Sequence, residues 1–488
     1  MVIESLKYKI LQQFGFAPTQ EQGQALDTFV SFLTDRDPQA VMILRGSAGT
    51  GKTSLSGAIV RTLLQIRQKV MLLAPTGRAA KVFSLGSGAP AYTIHRRIYR
   101  EKAFAGVDGQ FSLNDNLYTD TLFMVDEASM IANMGLGGTT FGSGCLLDDL
   151  VKFVYQGHND RLLLIGDKAQ LPPVGEEESP ALSASVMEGY GLKVYECDLN
   201  EVLRQSQSSG ILYNATLIRQ MITHDAVTGL PLIRFKGFAD IVMMPGAELV
   251  ESLGDSYHHV GIDETMVITR SNKRANIYNN GIRNMVLDRE EELSSGDMLM
   301  IVKNNYFWTE KEKKESGEGS AGAVPAFLAN GDRAKVLRVS NYIELYGFRF
   351  ATLLLQLPDY DDYEMQVTGM LDTLQSEAPA LTHEQQEELF RQVEEDYQHF
   401  VPLKADRMKS IRQDAYFNAL QIKYAYAVTC HKAQGGQWAH VYVDQGYMTD
   451  DMLTPDYIHW LYTAFTRATD KLFLVNWPKE QTCEPTDL

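Results

Sequence analysis

Short apolar runs alternate with segments of helical periodicity along the first 200 residues. Four runs have the length of buried strands, at 41–46, 69–76, 122–129 and 161–167. The intervening segments 19–34 and 54–67 carry apolar residues at helical spacing, which predicts amphipathic helices. Strands that alternate with helices predict a parallel sheet with helices on both faces. Polar residues end several of the runs, at the edge where such sheets bind ligands.

A second α/β pattern begins near residue 200 and is interrupted by a different one. Its strands are predicted within 265–284, at 440–444 and at 471–477, with a helix at 457–468. Residues 331–358 carry short alternating strands instead, which predict a small β-barrel. We therefore expect an α/β fold of two parallel-sheet cores, with a β-rich domain inserted into the second core.

Two segments of the insertion have distinctive compositions. Residues 309–323 are charged and rich in Gly and Ser, which predicts a mobile loop. Residues 382–399 predict an acidic helix that begins with a capping box formed by Thr382 and Gln385. We expect this helix to face solvent or a protein partner.

Charge is distributed unevenly along the chain. The net charge of −17 by itself argues against a polyanionic partner. Residues 41–100, however, contain ten Lys or Arg and no Asp or Glu, whereas residues 371–400 contain eight acids and one Arg. A polyanion is therefore expected at the first of these regions.

The spacing of the cysteines and the length of the apolar runs indicate the cellular compartment of the protein. Cys145, Cys197, Cys430 and Cys483 are scattered without a CxxC pair, which argues against a zinc site or a disulfide framework. No apolar stretch has the length of a transmembrane helix, and the first residues lack the apolar core of a signal peptide. These features predict a cytoplasmic location.

Residues 46–53 read GSAGTGKT and match the phosphate-loop pattern GxxxxGK[ST] in full. They lie between a predicted strand and a predicted helix, so the loop N–H groups should face the phosphates of ATP. Lys52 would reach the β- and γ-phosphates, and the hydroxyl of Thr53 would bind Mg²⁺. The nucleotide-binding residues predicted in this loop are Gly46, Ser47, Ala48, Gly49, Thr50, Gly51, Lys52 and Thr53.

An Asp-Glu pair follows the apolar run at 122–125. Asp126 would hold Mg²⁺ through its water shell, and Glu127 would orient or activate the attacking water. Such a pair alone is usually a solvated turn, but its place after a strand and downstream of the phosphate loop favours catalysis. The two motifs predict an NTPase and do not separate helicases from kinases or switch GTPases, which share the loop.

Six further motifs make the pattern specific. They are APTGRAAK at 74–81, TIH at 93–95, GDKAQLPPVG at 166–175, LNEVLRQ at 199–205, VTCHKAQGGQW at 428–438 and LYTAFTRA at 461–468. Together with the phosphate loop and the Asp-Glu pair, this ordered set resembles the superfamily 1B DNA helicases, the RecD-like and phage Dda-like group. The resemblance covers nearly the whole chain.

The resemblance implies a fold and an activity. The fold would be α/β, with two RecA-like parallel-sheet cores, a β-hairpin pin and an inserted SH3-like β domain. The implied boundaries are 1–198 for the first core, 199–289 with 421–488 for the second core, and 290–420 for the insertion. The activity would be ATP- and Mg²⁺-dependent movement along single-stranded DNA, 5′ to 3′, with unwinding of a duplex fork. The acidic helix is not part of the family's pattern.

The resemblance also implies roles at the nucleotide. Gln22, with Thr19, is similar to the motif that reads adenine, and Gln170 resembles the sensor that contacts the γ-phosphate. Arg204 and Arg467 match the two arginines that reach the γ-phosphate from the second core, where they would stabilise charge on the transferring phosphoryl group. The implied catalytic residues are therefore Lys52, Glu127, Gln170, Arg204 and Arg467.

Other residues are implied to join ATP to DNA or to contact DNA. Gln434 and Gly435 lie in the motif that couples ATP to DNA. Gly435 is also implied to bind the nucleotide. The DNA-contacting residues implied outside the pin are Pro75, Thr76, His95, Thr429 and His431. His95 and His431 could instead be ordinary structural histidines.

Residues 96–121 predict a β-ribbon that turns at Asp108-Gly109. The ribbon occupies the place of the strand-separating pin in the helicases that the chain resembles. Phe104 or Phe111 could stack on a base at the fork. The alternative is an ordinary hairpin that packs its own aromatic side chains.

Two other functions fit the same motifs. The chain could be a RecD-type subunit of a nuclease complex, although it shows no acidic cluster of its own that resembles a nuclease site. It could also be a phosphate-loop ATPase that remodels protein, with the acidic helix as its docking face. Stimulation of ATP hydrolysis by DNA would distinguish a motor from the second alternative.

Overall fold

The computed structural model describes residues 2–104, 109–135, 142–201, 208–223, 229–316, 324–325 and 327–483. These residues form two parallel sheets, a closed five-stranded barrel and a two-stranded hairpin. The predicted fold class, two α/β cores with a hairpin and an inserted β domain, is confirmed. No helix in the described ranges is both long and apolar enough to cross a membrane.

The first core contains the elements from the N-terminus to residue 199. Its strands and the hairpin strands are β1 Ala40–Gly46, β2 Lys69–Ala74, β3 Ala91–Thr93, β4 Tyr99–Phe104, β5 Gly109–Leu113, β6 Thr121–Val125, β7 Arg161–Gly166 and β8 Lys193–Leu199. Its helices are α1 Val2–Phe14, α2 Gln20–Leu33, α3 Lys52–Gln65, α4 Gly77–Ser87, α5 Ile94–Ile98, α6 Leu146–Gln156 and α7 Ala184–Gly189.

The sheet of the first core has the order β3-β2-β6-β7-β1-β8, and every neighbouring pair is parallel. Strand β1 lies between β7 and β8, and all seven of its residues are buried. This position explains its continuous apolar sequence, because both of its faces are covered by helices. The strand delivers the phosphate loop to the carboxyl edge of the sheet.

The second core is assembled from two parts of the chain. Its strands are β9 Ile241–Met244 and β10 Thr265–Thr269, and after an insertion β16 Ala427–Thr429, β17 Trp438–Asp444 and β18 Ala468–Val475. Its helices are α8 Gly210–Thr223, α9 Leu249–His259, α10 Asn272–Gly281, α14 Cys430–Ala433 and α15 Pro455–Phe465. The sheet order is β16-β10-β17-β18-β9, and all pairs are parallel.

The insertion is a closed barrel with three helices. Its strands are β11 Met298–Ile301, β12 Arg333–Leu345, β13 Phe348–Leu357, β14 Tyr363–Met370 and β15 Leu420–Tyr424, and its helices are α11 Phe307–Ser316, α12 His383–Gln398 and α13 Lys404–Arg412. The pair β14–β15 is parallel, and the other neighbours are antiparallel. The barrel also touches the first core, where the Lys81 ammonium donates to the Pro358 carbonyl at 2.7 Å.

Two local predictions were wrong. Residues 309–316 belong to α11, not to a loop. This helix is anchored at its start by the buried Trp308, whose indole N–H donates to the Asn418 carbonyl at 2.9 Å. At the ribbon, residues 96–98 belong to the short helix α5, because the Thr93 hydroxyl caps that helix at the Arg96 N–H. The hairpin itself begins at β4.

The acidic helix α12 has one apolar face that packs on the barrel. Its capping box of Thr382 and Gln385 is confirmed. Leu389 and Val393 are buried with Phe350 and with other apolar residues of the barrel and α13. The helix is therefore not merely a solvated addition, because its packing inside the chain accounts for its apolar positions without a protein partner.

We predict that Val393→Ala destabilises the insertion, because Val393 is fully buried in this cluster. Removing two buried methyl groups costs roughly 1–3 kcal/mol and should lower the thermal unfolding midpoint. Glu395→Ala, an exposed change in the same helix, is the control and should leave the midpoint nearly unchanged. Equal effects of the two changes would show that the apolar face of α12 does not stabilise the fold.

Candidate functional site

The phosphate loop connects β1 to α3. Gly49 and Gly51 have φ values of 77° and 80°, a region that side chains disfavour, so glycine is needed at both positions. No side chain caps the N-terminus of α3, which leaves its N–H groups free for an anion. The Lys52 ammonium lies over the loop and donates to the Ser47 carbonyl at 2.9 Å. Thr53 is exposed in the first turn of α3, where its hydroxyl can reach a ligand.

Gln22 supports the phosphate loop from behind. Its amide nitrogen donates to the Thr50 carbonyl at 2.9 Å, and its amide oxygen accepts from the Thr19 N–H at 3.0 Å. The side chain is 1% exposed. The residue therefore holds the loop in place, and its contact with adenine stays a prediction.

Asp126 and Glu127 follow β6 at the same sheet edge. Burial and the neighbouring Glu127 raise the pKa of the Asp126 carboxyl to about 7, and the Lys52 charge acts against this rise. Its only hydrogen bond in the described chain is from the Glu127 N–H to Oδ1, at 2.9 Å. A buried carboxylate with so few donors suits a cation that arrives with the nucleotide, so the donor set fits Mg²⁺.

Gln170 and Arg467 meet beside Glu127 although they come from different cores. In the amide orientation that satisfies both neighbours, the nitrogen of Gln170 lies 3.3 Å from Glu127 Oε2, and its oxygen lies 3.3 Å from Arg467 Nη2. Arg467 is 3% exposed, and its guanidinium also donates to the Thr463 carbonyl at 3.1 Å. Three of the five predicted catalytic residues thus form one hydrogen-bonded line across the cleft.

Helix α15 brings the second core to this cleft. The Nδ1–H of His459 donates to the Ala169 carbonyl at 2.9 Å, and the Thr463 hydroxyl accepts from the Leu171 N–H at 2.8 Å. Between them, the Tyr462 hydroxyl donates to Asp167 Oδ2 at 2.6 Å. Sequence reasoning missed these contacts, although His459 and Tyr462 lie in or beside the LYTAFTRA motif.

A second contact between the cores lies at the glycines that follow Gln434. Gly435 has a φ of 73°, and a Cβ there would meet the Thr76 hydroxyl at 3.1 Å. A Cβ on Gly436 would meet Arg78 Nε at 2.9 Å. The Arg78 guanidinium stacks on the Trp438 ring at 4.4 Å. Gly435 therefore lies against α4, and its close approach to the first core requires glycine.

A cavity of about 310 Å³ opens beside this contact, where the two cores and the barrel meet. Its cationic lining residues are Arg78, Arg333 and Lys432, one from each unit, and no acid is among its described lining residues. Burial lowers the pKa of Arg78 to about 10 and that of Lys432 to about 8. Both side chains keep most of their positive charge at pH 7, so the cavity suits a polyanion.

The structure distributes the predicted DNA-contacting residues unevenly. Thr76 and His431 line the cavity. Pro75 and Thr429 lie close to them in the chain, at the ends of β2 and β16. His95 has a ring contact with Tyr99 at 5.7 Å, and burial lowers its pKa to about 4. His95 is therefore neutral at pH 7 and brings no charge to a phosphate.

The predicted pin is a two-stranded hairpin of β4 and β5. The Phe111 ring lies 5.0 Å from the Tyr306 ring of the insertion, and Tyr306 stacks on Phe327 at 4.8 Å. For Phe111 this geometry favours the alternative that the ring packs within the protein, and not that it is exposed to stack on a DNA base. Arg204 and the side chain of Phe104 lie outside the described residues.

The basic run at 41–100 is not a single patch. Arg78 is its one member among the described lining residues of the cavity. Arg45 is paired with Asp198 at 2.7 Å and with Glu196 at 2.8 Å, and is nearly buried. The expected local polyanion site at 41–100 therefore stays a prediction, and the cations that share the cavity are contributed by three units.

Comparison with known proteins gives matches in both cores. Residues 17–229 match the AAA domain family, and residues 424–475 match the UvrD-like helicase C-terminal domain family. The chain is 30% identical over 157 residues to the ATP-dependent RecD2 DNA helicase of Deinococcus radiodurans. It is 25% identical over 267 residues to the ATP-dependent DNA helicase dda of Enterobacteria phage T4. These matches support the resemblance of the chain to the superfamily 1B helicases.

The extent of these matches differs between the two relatives. The RecD2 match covers 32% of this chain and 18% of that protein, and the dda match covers 53% and 55%. The chain thus spans less than two thirds of either relative. A solved Pif1 helicase from Bacteroides, in complex with ADP-AlF3 and ssDNA, aligns over 96% of this chain and 95% of that chain. Its identity is 13% and its TM-score is 0.46.

We predict that Asp126→Asn abolishes stabilisation by MgATP without lowering intrinsic stability. The pKa of Asp126 is raised from its ordinary 3.8 to about 7, so ionisation of this carboxyl destabilises the folded state as pH rises between these two values. The stability advantage of Asn should therefore be absent below about pH 4, grow between about pH 4 and 7, and stay constant above that range. Thermal unfolding with and without MgATP measures both effects.

Glu127→Gln is the control for this experiment, because it changes the neighbouring carboxylate and spares Asp126. It should keep the upward shift of the unfolding midpoint that a bound ligand produces. If Asp126→Asn keeps that shift as well, Asp126 is not a ligand of the metal.

Proposed function

We propose that this chain is an ATP-dependent DNA helicase that moves 5′ to 3′ on single-stranded DNA and hydrolyses ATP between its two cores. The observation that carries the proposal is the line of Glu127, Gln170 and Arg467 across the cleft. It joins the strand-end carboxylates of one core to an arginine of the other. A cationic cavity lies within a few residues of the same contact.

The first core supplies most of the groups for hydrolysis. The N–H groups of the phosphate loop and Lys52 would bind the phosphates, and Glu127 would orient the attacking water. Mg²⁺, bound with ATP by Thr53 and Asp126, would neutralise charge on the phosphate oxygens. Arg467 would stabilise the charge that develops on the transferring group. The proposal also assigns Arg204 to this role, by resemblance.

The second core links hydrolysis to DNA. The Gln434 amide nitrogen donates to the Leu171 carbonyl at 2.8 Å, one residue beyond Gln170. Gln434 also lines the cavity with Thr76 and His431. A change of the cleft at Gln170 would therefore alter the cavity directly. Phosphates of single-stranded DNA fit the cavity's charge, and contacts of this kind are independent of base sequence. The polarity of movement rests on the superfamily resemblance.

We predict that single-stranded DNA strongly stimulates ATP hydrolysis and that Glu127→Gln abolishes it while nucleotide binding persists. The reason is that Glu127 acts on the attacking water, whereas the phosphate loop binds ATP. Lys52→Ala is the contrasting variant and should lose nucleotide affinity. Steady-state ATPase assays with and without DNA, together with equilibrium binding, measure these effects.

The same protein preparation can be used to test whether the chain moves along DNA and unwinds it. Unwinding should require a duplex with a 5′ single-stranded tail, and DNA binding should weaken with salt, as phosphate contacts do. Absence of DNA stimulation at low salt would favour a protein-remodelling ATPase. Unwinding of 3′-tailed substrates alone would overturn the proposed polarity.

We predict that the hairpin is needed for strand separation and not for ATP hydrolysis. Replacing residues 104–109 with a short Gly-Ser segment changes the connection between β4 and β5 and spares Phe111, which packs on Tyr306. DNA-stimulated hydrolysis should stay near the wild-type rate, whereas unwinding of a forked duplex should fall severely. Survival of both activities would make the hairpin structural, and loss of both would assign this connection to the DNA groove.

A further inference from the structure

The segment 167–171 is held by α15 at several points, and Gln170 lies within it. His459 and Thr463 bond to its main chain at Ala169 and Leu171, at 2.9 and 2.8 Å. Main-chain contacts on both sides of Gln170 leave this residue little freedom to move away from Glu127. The position of α15 therefore determines where the Gln170 amide lies.

Tyr462 differs from the other two residues because it also reaches the phosphate loop. Its hydroxyl donates to Asp167 Oδ2 at 2.6 Å and accepts from the Ala48 N–H at 3.0 Å. Asp167 in turn accepts from the Ala169 N–H at 3.0 Å, which fixes the turn that precedes Gln170. One hydroxyl thus connects the loop that binds phosphate to the segment that carries Gln170.

We propose that Tyr462 is a positioning residue for ATP hydrolysis. Its hydroxyl holds the phosphate loop, Gln170 and Arg467 at fixed positions relative to one another. The inference rests on the proposed ATPase activity. Tyr462 and Arg467 lie five residues apart, at and just beyond the end of α15, so a shift of this helix moves both. A phosphate bound by the loop would shift the Ala48 N–H, and through the Tyr462 hydroxyl this shift would reach Gln170.

The Tyr462 hydroxyl is buried between its two partners. Tyr462 is 1% exposed, and burial with the adjacent Asp167 carboxylate raises the pKa of its hydroxyl well above the ordinary value. The group therefore stays protonated and keeps donating to Asp167. Without it, a buried carboxylate oxygen and the Ala48 N–H would both lose a partner, and the two segments would move apart to reach water.

The test compares Tyr462→Phe with Tyr442→Phe, another loss of a buried tyrosine hydroxyl in the second core. The Tyr442 hydroxyl bonds to Ser252 and Ser256, away from the cleft. We expect Tyr462→Phe to lower kcat of the DNA-stimulated ATPase about tenfold, with equilibrium affinity for ATP within about threefold. Tyr442→Phe should keep kcat within about twofold, whatever its effect on the unfolding midpoint.

A double-mutant cycle separates positioning from general stability. If Tyr462 acts through Gln170, Tyr462→Phe should add little further loss in a Gln170→Ala background. Additive losses, an unchanged kcat in Tyr462→Phe, or an equal loss in Tyr442→Phe would overturn the proposal. Should Tyr462→Phe fail to fold, Asp167→Asn weakens the same contact from the other side and must lower kcat. A wild-type chain that does not hydrolyse ATP would overturn the proposed function instead.

Discussion

The candidate site depends on the close approach of α15 to the segment 167–171. Neither core has the complete set of groups for the proposed ATP hydrolysis, because the phosphate loop and carboxylates lie on one core and Arg467 on the other. The contacts that bring the cores together are hydrogen bonds to main-chain atoms as well as side chains. Bonds to the main chain fix a distance more strictly than apolar packing does, because they weaken steeply when stretched or bent.

Burying charge is the second constraint on this arrangement. Arg467 and Gln170 are nearly inaccessible, and Asp126 is buried with a raised pKa. Charges in such places are tolerated when each has a partner or gains one with a ligand. Arg467 has its partners within the protein, at Thr463 and Gly436. Asp126 has one donor, so it is the group with most to gain from a cation.

The distribution of charge also reconciles a net charge of −17 with a polyanion. Acidic residues are numerous in α12, which packs its apolar face on the barrel and leaves its acids toward solvent. The cavity is different, because Arg78, Arg333 and Lys432 come together there from three units without an acid among the described lining residues. Local charge, not the total, sets the potential that a bound strand would meet.

Sequence alone predicted the fold class, the phosphate loop and, through resemblance, the three residues Glu127, Gln170 and Arg467 that the structure brings together. These features are local: a buried strand needs a run of apolar residues, and a phosphate loop needs glycines and a lysine at fixed spacing. The sequence could not determine which side chains meet across the cleft. Tyr462 and Ala48 are more than 400 residues apart, and only the packing of α15 brings them within 3.0 Å. The same reason limited what could be predicted from the basic run at 41–100. Arg45 pairs with Asp198 only because their two strands are parallel neighbours in the sheet. It also limited the prediction for α12. Composition shows that the helix is acidic, but only tertiary packing shows which residues cover its apolar face.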